Sequence, residues 1–302
     1  MPSLWEILSA LIEFIPQVFL LYFILTVLEK SGLLGQIARG LHLPMGHVLP
    51  VCLSFNCTTM AVCAARENPQ RNRLVHFLSL MPCTAQLPML TFLLLSVLRF
   101  SFWSIIVVYL TCVIIGMLVL MFVPKIPTTQ KLDPVSSLNF PHLGICLVDT
   151  LRQTLIFAKK ILLAFAVSAV VIVFLARFSF EFKFVTDAKQ SILFAICGVF
   201  APIFAPIGLN QPVLICALCF GLIAKESAVS VLMFFPDVVK TLTMPVVLSL
   251  VTFFVFYPKC LAAQTAIKQH CGRKKGIKIF VINLLLAYSL SFVVYTVCGI
   301  FI

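Results

Sequence analysis

Two short polar segments interrupt the hydrophobic first third of the chain, and each is centred on a cysteine. Cys57 lies in the segment Ser54–Ala61, and Cys83 lies in the segment Met81–Pro88. Lipid cannot hydrogen-bond exposed backbone, so such interruptions persist only where they face protein or a watery cavity. A thiol beside hydroxyl groups and freed carbonyls in that setting suits a borderline or soft cation. The alternative is a pair of helix breaks in which cysteine is a small apolar filler.

Side chains beside these cysteines, and one carboxylate elsewhere, are weaker candidate ligands. Asn56, Thr58 and Thr59 could supply oxygen atoms, although satisfying a broken backbone explains them equally well. Met60 could be a soft secondary ligand, but methionine more often packs in a core. Glu226 lies well inside an apolar run, where an ionisable group suggests a function. A structural ion pair is the alternative for Glu226.

The elements that must position these residues belong to a membrane. The chain has 302 residues, of which 62% are hydrophobic and 11% charged, and its mean hydropathy is +1.13. A soluble domain carries about 25% charged residues, so composition predicts a multi-pass protein of the lipid bilayer. The net charge of +12 lies in short segments between apolar runs, which is an orientation signal and not a sign of nucleic-acid binding. The twelve cysteines are predicted to be reduced.

The apolar runs predict an all-α bundle of about eight to nine membrane segments, several of them broken. Residues 1–123 form a first half, 124–148 a polar linker and 149–260 a second half, and 261–302 hold a basic cytoplasmic segment and a last transmembrane helix. The two halves echo each other, since Ser54–Val62 and Gly221–Val229 follow apolar runs at nearly the same distance. Paired broken segments predict an inverted-repeat transporter. The basic segments 66–73 and 259–278 are predicted to face the cytoplasm. The histidines are predicted to be interfacial: His42, His47, His76, His142 and His270.

Several short motifs resemble the membrane part of ferrous iron transport protein B, FeoB. Ser54-Phe55-Asn56-Cys57 resembles GFGC, Pro82–Pro88 resembles SCxARLP, and Leu28–Gly32 resembles LEDSG. Ile223–Glu226 resembles LAKE, and Tyr257-Pro258-Lys259-Cys260 resembles YxPC with the proline moved by one. The resemblance runs from about Ile15 to Tyr295.

The resemblance implies two inverted Gate-type repeats, with Cys57, Cys83 and Cys260 as the thiols of a metal path. It implies Fe²⁺ as the transported ion, no permanently bound cofactor, and a location in the bacterial inner (plasma) membrane. The partners it implies are a separate GTPase domain protein and small Feo accessory proteins, and a homo-oligomer is also considered.

The chain departs from the family pattern in ways that bear on function. Thr58, Met60 and Gln86 replace an asparagine, a proline and an arginine of the motifs. No segment reads GxxxxGK[ST], so the chain itself is not expected to be an enzyme, and any GTPase activity would come from a partner chain. There are therefore two alternatives to the function of a ferrous iron permease core. One is another Gate-type protein, similar to nucleoside transporters or spore-maturation proteins, and the other is a non-transporting regulatory subunit.

Overall fold

The computed structural model describes residues 45–55, 57–68, 70–122, 144–152, 191–225, 227–233 and 235–301, together with scattered positions within 16–31, 154–155 and 174–179. The structure is all-helical, as predicted. Within these residues, three helical stretches are long and apolar enough to cross a membrane, and a bent pair would make a fourth. The chain is thus a multi-pass membrane protein, while the predicted total of eight to nine segments stays a prediction.

The first half of the described chain consists of helices that end and restart within a few residues. Its elements are α1 (Met45–Ser54), α2 (Thr58–Ala64), a 3₁₀ turn (Ala65–Glu67), α3 (Arg71–Leu80), a second 3₁₀ turn (Thr84–Gln86), α4 (Leu87–Leu90), a π-helix (Thr91–Val97) and α5 (Trp103–Phe122). The helix α5 is an uninterrupted apolar helix of 20 residues.

The second half repeats the alternation of helices and breaks. Its elements are α6 (Ile192–Phe204), a 3₁₀ turn (Ala205–Ile207), α7 (Pro212–Ile223), α8 (Ser227–Met233), α9 (Pro236–Lys240), α10 (Met244–Phe256), α11 (Leu261–Cys271) and α12 (Arg273–Phe301). The pair α6 and α7 is bent by 100°. Pro202 lies within α6, which continues to Phe204 and does not break at the proline.

Four of the breaks between these helices lie at the motif segments, two in each half. They separate α1 from α2, α3 from the turn before α4, α7 from α8, and α10 from α11. Proline explains two of them, because Pro82 and Pro258 have no N–H to continue the hydrogen-bond ladder. Two of the breaks have the same length. Residues 55–57 lie between α1 and α2, and residues 224–226 lie between α7 and α8. This pattern supports the predicted repeats, which stay a proposal.

The long helix α12 braces the second half through polar contacts. Ser249 on α10 donates to the carbonyl of Ile207 at 2.6 Å, and Ser291 on α12 donates to the carbonyl of Ser249 at 3.1 Å. Asn283 on α12 reaches across to α3, where its Nδ2 donates to the carbonyl of Ser79 at 3.4 Å. These contacts hold α3, α10 and α12 around a continuous apolar core.

A second, smaller core lies between α2, α3 and α11. Helix α11 occupies most of the basic segment 259–278 that the sequence predicted to be cytoplasmic. Lys259 precedes it and is 1% exposed, so this lysine does not belong to a solvated loop. The exposed bases of that segment instead cluster at the start of α12, where Arg273, Lys274 and Lys275 lie on the surface.

Candidate functional site

The three cysteines of the resembling motifs occupy the same structural position. Cys57 is the N-cap of α2, Cys83 is the N-cap of the turn Thr84–Gln86, and Cys260 is the N-cap of α11. Each thiol therefore lies at a break, next to backbone N–H groups that have no intrahelical partner. The thiolate is the form that binds metal, so an ion bound here must displace the thiol proton.

The fold brings these thiols together from distant parts of the sequence. Cys57 lies within electrostatic range of Cys83 and of Cys260. The hydroxyl of Thr59 and the N–H of Met60 approach the Cys57 sulfur, but they do not meet the geometry of a cap hydrogen bond. No group of three or more histidine, cysteine or acidic side chains within the described residues is close enough to hold one metal ion. The thiols are thus neighbours, but they do not form a preassembled coordination shell.

Gln86 connects the second break to the end of α10. Its Oε1 accepts the N–H of Cys83 at 3.1 Å, and its Nε2 donates to the carbonyls of Phe254 at 3.0 Å and Val255 at 3.2 Å. The Phe254 carbonyl needs an outside donor because the residue four positions on is Pro258, which has no N–H. Gln86 is fully buried, so it is a structural tie between the two halves.

Lys225 makes the corresponding connection from the break between α7 and α8. Its Nζ donates to the carbonyl of Pro258 at 3.1 Å and lies 3.2 Å from the centroid of the Tyr257 ring. The hydroxyl of Tyr257 in turn donates to the carbonyl of Leu218 on α7 at 3.3 Å. Lys225 is 1% exposed, and burying an ammonium group requires such compensating contacts.

A second buried ammonium group, on Lys259, lies beside the thiols. Its Nζ is 3.5 Å from the carbonyl of Val255, and it interacts electrostatically with Cys83, Cys260 and Cys112. Cys112 lies on α5 and is fully buried. A protonated Lys259 would oppose a cation bound beside these thiols.

The weaker candidates lie partly inside the described structure. Thr58 and Thr59 are buried on α2 next to Cys57, and Met60 is 2% exposed within the smaller core. The hydroxyl oxygen of Thr58 has no hydrogen-bond partner among the described residues. Asn56 and Glu226 lie outside the described residues.

A groove opens beside the two breaks of the first half. Its volume is about 480 Å³, and its wall includes Phe55, Thr84 and Tyr109. The rings of Phe55 and Tyr109 stack with their centroids 6.4 Å apart. The remaining lining is aliphatic, so the groove offers a hydrated ion little in exchange for its water.

Sequence reasoning missed the buried polar residues that connect the breaks. Gln86 was noted only as a departure from a motif, and Lys225 only as part of the motif segment Ile223–Glu226. Their signal was present, because each is a long polar side chain next to a break in an apolar run. The partners were not visible, since Gln86 contacts residues 168 and 169 positions away.

Comparison with known proteins finds one recurrent relative, described as "Fe(2+) transporter FeoB". The protein from Methanocaldococcus jannaschii is 25% identical over 95% of this chain and 47% of its own length. The protein from Synechocystis sp. is 22% identical over 97% of this chain and 51% of its own length. The Escherichia coli protein is 24% identical over 68% of this chain and 28% of its own length. The chain spans about half the length of the curated relatives it matches over nearly its whole extent. No family model and no solved structure matches it.

Proposed function

We propose, from the distant homology of nearly the whole chain to the membrane portion of FeoB, that this protein is the permease core for ferrous iron in a bacterial inner membrane. The cargo is Fe²⁺, which sheds water and passes among Cys57, Cys83 and Cys260 as two Gate-type repeats rearrange. The observation that carries the proposal is the shared placement of these cysteines. All three are N-caps at helix breaks, and the fold gathers them although they span more than two hundred positions.

The chemistry of the thiols favours a soft or borderline ion over a hard one. Thiolate sulfur suits Fe²⁺ better than Mg²⁺ or Ca²⁺, which prefer oxygen ligands. Because the three thiols do not form a closed shell, each can hold the ion only together with water or a neighbouring oxygen. Thr58, whose hydroxyl oxygen is buried and has no partner among the described residues, is the nearest such oxygen donor in sequence to Cys57. An incomplete shell allows an ion to move on, as conduction requires.

A separate GTPase domain protein is one partner in the proposed assembly. A GTPase domain protein would act on the repeats through the surface they present to the cytoplasm. Small Feo accessory proteins and further copies of the chain complete the proposed assembly.

The test replaces single sulfur atoms and measures transport. Cys57→Ser and Cys83→Ser should each cut Fe²⁺ uptake about tenfold or more, because serine keeps the size and hydrogen bonding but removes the ionisable sulfur. Cys298→Ser is the matched control, since that half-buried cysteine lies near the end of α12, away from the breaks. Uptake should be measured in proteoliposomes with and without a GTPase partner, at equal amounts of inserted protein.

The position of Cys112 makes it unsuitable as a second control. It lies in the uninterrupted apolar helix α5, but its electrostatic interaction with Lys259 places it near the thiols. Equal losses in Cys298→Ser and the two break variants would reject the thiol path, as would normal transport by all of them.

A further inference from the structure

Helices α2 and α11 pack side by side and run in the same direction. Their N-caps, Cys57 and Cys260, lie within electrostatic range of each other. At their other ends, Cys63 and His270 are in contact, each within the last turn of its helix. A rise of 1.5 Å per residue places Cys63 about 9 Å beyond Cys57 and His270 about 15 Å beyond Cys260.

The contact between Cys63 and His270 has the dimensions of two ligands on one metal ion. The Sγ of Cys63 and the Nε2 of His270 are 3.6 Å apart, although 207 positions separate the residues. Metal–ligand lengths of about 2.3 Å for thiolate and 2.0–2.1 Å for imidazole, at a tetrahedral angle, put the two ligand atoms about 3.6 Å apart. The two side chains can therefore hold one ion without moving the helices.

We propose that Cys63 and His270 form a second site for a soft or borderline divalent cation, at the cytoplasmic end of the α2–α11 pair. Resting on the proposed function, the site is the station at which transported Fe²⁺ leaves the helix breaks. Cys63 binds as the thiolate and releases its proton to water, His270 binds through neutral Nε2, and water fills the remaining positions.

The surroundings of the pair suit transient binding. Cys63 is exposed and precedes Arg66 by three positions, and His270 is half-buried and precedes Arg273 by three. The pair therefore faces the polar segments and not the apolar core. Both ligands lie where the helix dipole is negative, which favours a cation, while the nearby bases Arg66, Lys268 and Arg273 oppose it. Two protein ligands in a balanced field bind weakly enough to release the ion.

Protection of the thiol by a metal tests the pair directly. The purified full chain is treated with N-ethylmaleimide in the presence or absence of Cd²⁺, a redox-inert soft cation. Peptide-resolved mass spectrometry then gives the alkylation rate of each cysteine. Cd²⁺ should slow the alkylation of Cys63 at least tenfold and that of Cys52 less than twofold, because Cys52 is exposed on α1 and has no histidine contact in the described structure.

Variants separate this pair from the thiol path. His270→Asn should reduce the protection of Cys63 below twofold, and His270→Cys, which supplies another soft ligand, should restore it. Protection of Cys63 should persist in Cys57→Ser. This result would support the Cys63–His270 site even if the proposed transport path were wrong. Three outcomes would overturn the site: no protection in the native chain, undiminished protection in His270→Asn, or equal protection of Cys52.

Discussion

At the scale of single residues, the chain places long polar side chains where its backbone is broken. Gln86 and Lys225 each donate to a carbonyl near the end of α10, namely those of Phe254, Val255 and Pro258. These carbonyls are orphaned by the break, and neither water-poor core nor lipid can satisfy them. The polar residues Gln86 and Lys225 are therefore explained first by backbone satisfaction.

Gln86→Leu should lower the free energy of unfolding by at least about 2 kcal/mol, because each buried polar group left unpaired costs about 1–3 kcal/mol. The matched control is Gln264→Leu on α11. Gln264 is also buried, but neither of its side-chain amide atoms has a partner among the described residues. That change should be neutral or stabilising. Thermal unfolding of both variants in one detergent gives the comparison, and equal losses would contradict the role of Gln86.

At the scale of elements, the sequence predicts the positions of the helix breaks better than it predicts which residues contact them. Pro82 and Pro258 mark two breaks through their missing N–H groups. Pro202 also lacks an N–H group but lies inside α6, so a proline alone does not determine where a helix ends. The helical stretch continues through the turn Ala205–Ile207 and ends at Gly208, where φ is +77°. Tertiary packing contributes to this end, since the ring of Tyr295 on α12 covers Gly208.

Gly208→Ala tests this helix end. An alanine there carries the left-handed backbone penalty of about 1–2 kcal/mol, and its methyl group would also meet the Tyr295 ring. Gly198→Ala is the control within α6, because its added methyl group meets no atom within 4 Å. That control should gain stability, by about 0.5–1 kcal/mol in a helix interior. Unfolding of the two variants should therefore shift in opposite directions, and a common shift would contradict the assignment.

At the scale of the whole molecule, membrane class, broken helices and the candidate thiols were predictable from sequence. Composition identifies the bilayer, and the motif cysteines mark the breaks. The pairing of α2 with α11, which brings Cys57 towards Cys260 and Cys63 towards His270, was not predictable. Those residues are more than two hundred positions apart, and no local pattern encodes a contact of that length. His270 illustrates the limit, since its position near a helix end suggested an interfacial role alone.

The parallel packing of α2 and α11 also predicts which positions lie on the same side of the membrane. Both helices run from the breaks towards basic residues, α2 towards Arg66 and α11 towards Lys274, so these two positions should lie on one side of the membrane. The excess of bases predicts that this side is the cytoplasmic one. Ser101 follows the spanning stretch that starts at Arg71, and it should therefore lie on the opposite side.

Cysteines introduced by Arg66→Cys, Lys274→Cys and Ser101→Cys test this arrangement. An impermeant maleimide is applied to right-side-out and to inside-out vesicles, and peptide-resolved mass spectrometry separates each introduced thiol from the native ones. The first two positions should react only in inside-out vesicles and Ser101→Cys only in right-side-out ones. Reaction of Arg66→Cys and Lys274→Cys from opposite sides would be incompatible with the parallel pair. Reaction of both from outside would invert the orientation and would place the Cys63–His270 pair at the entrance of the path instead of its exit.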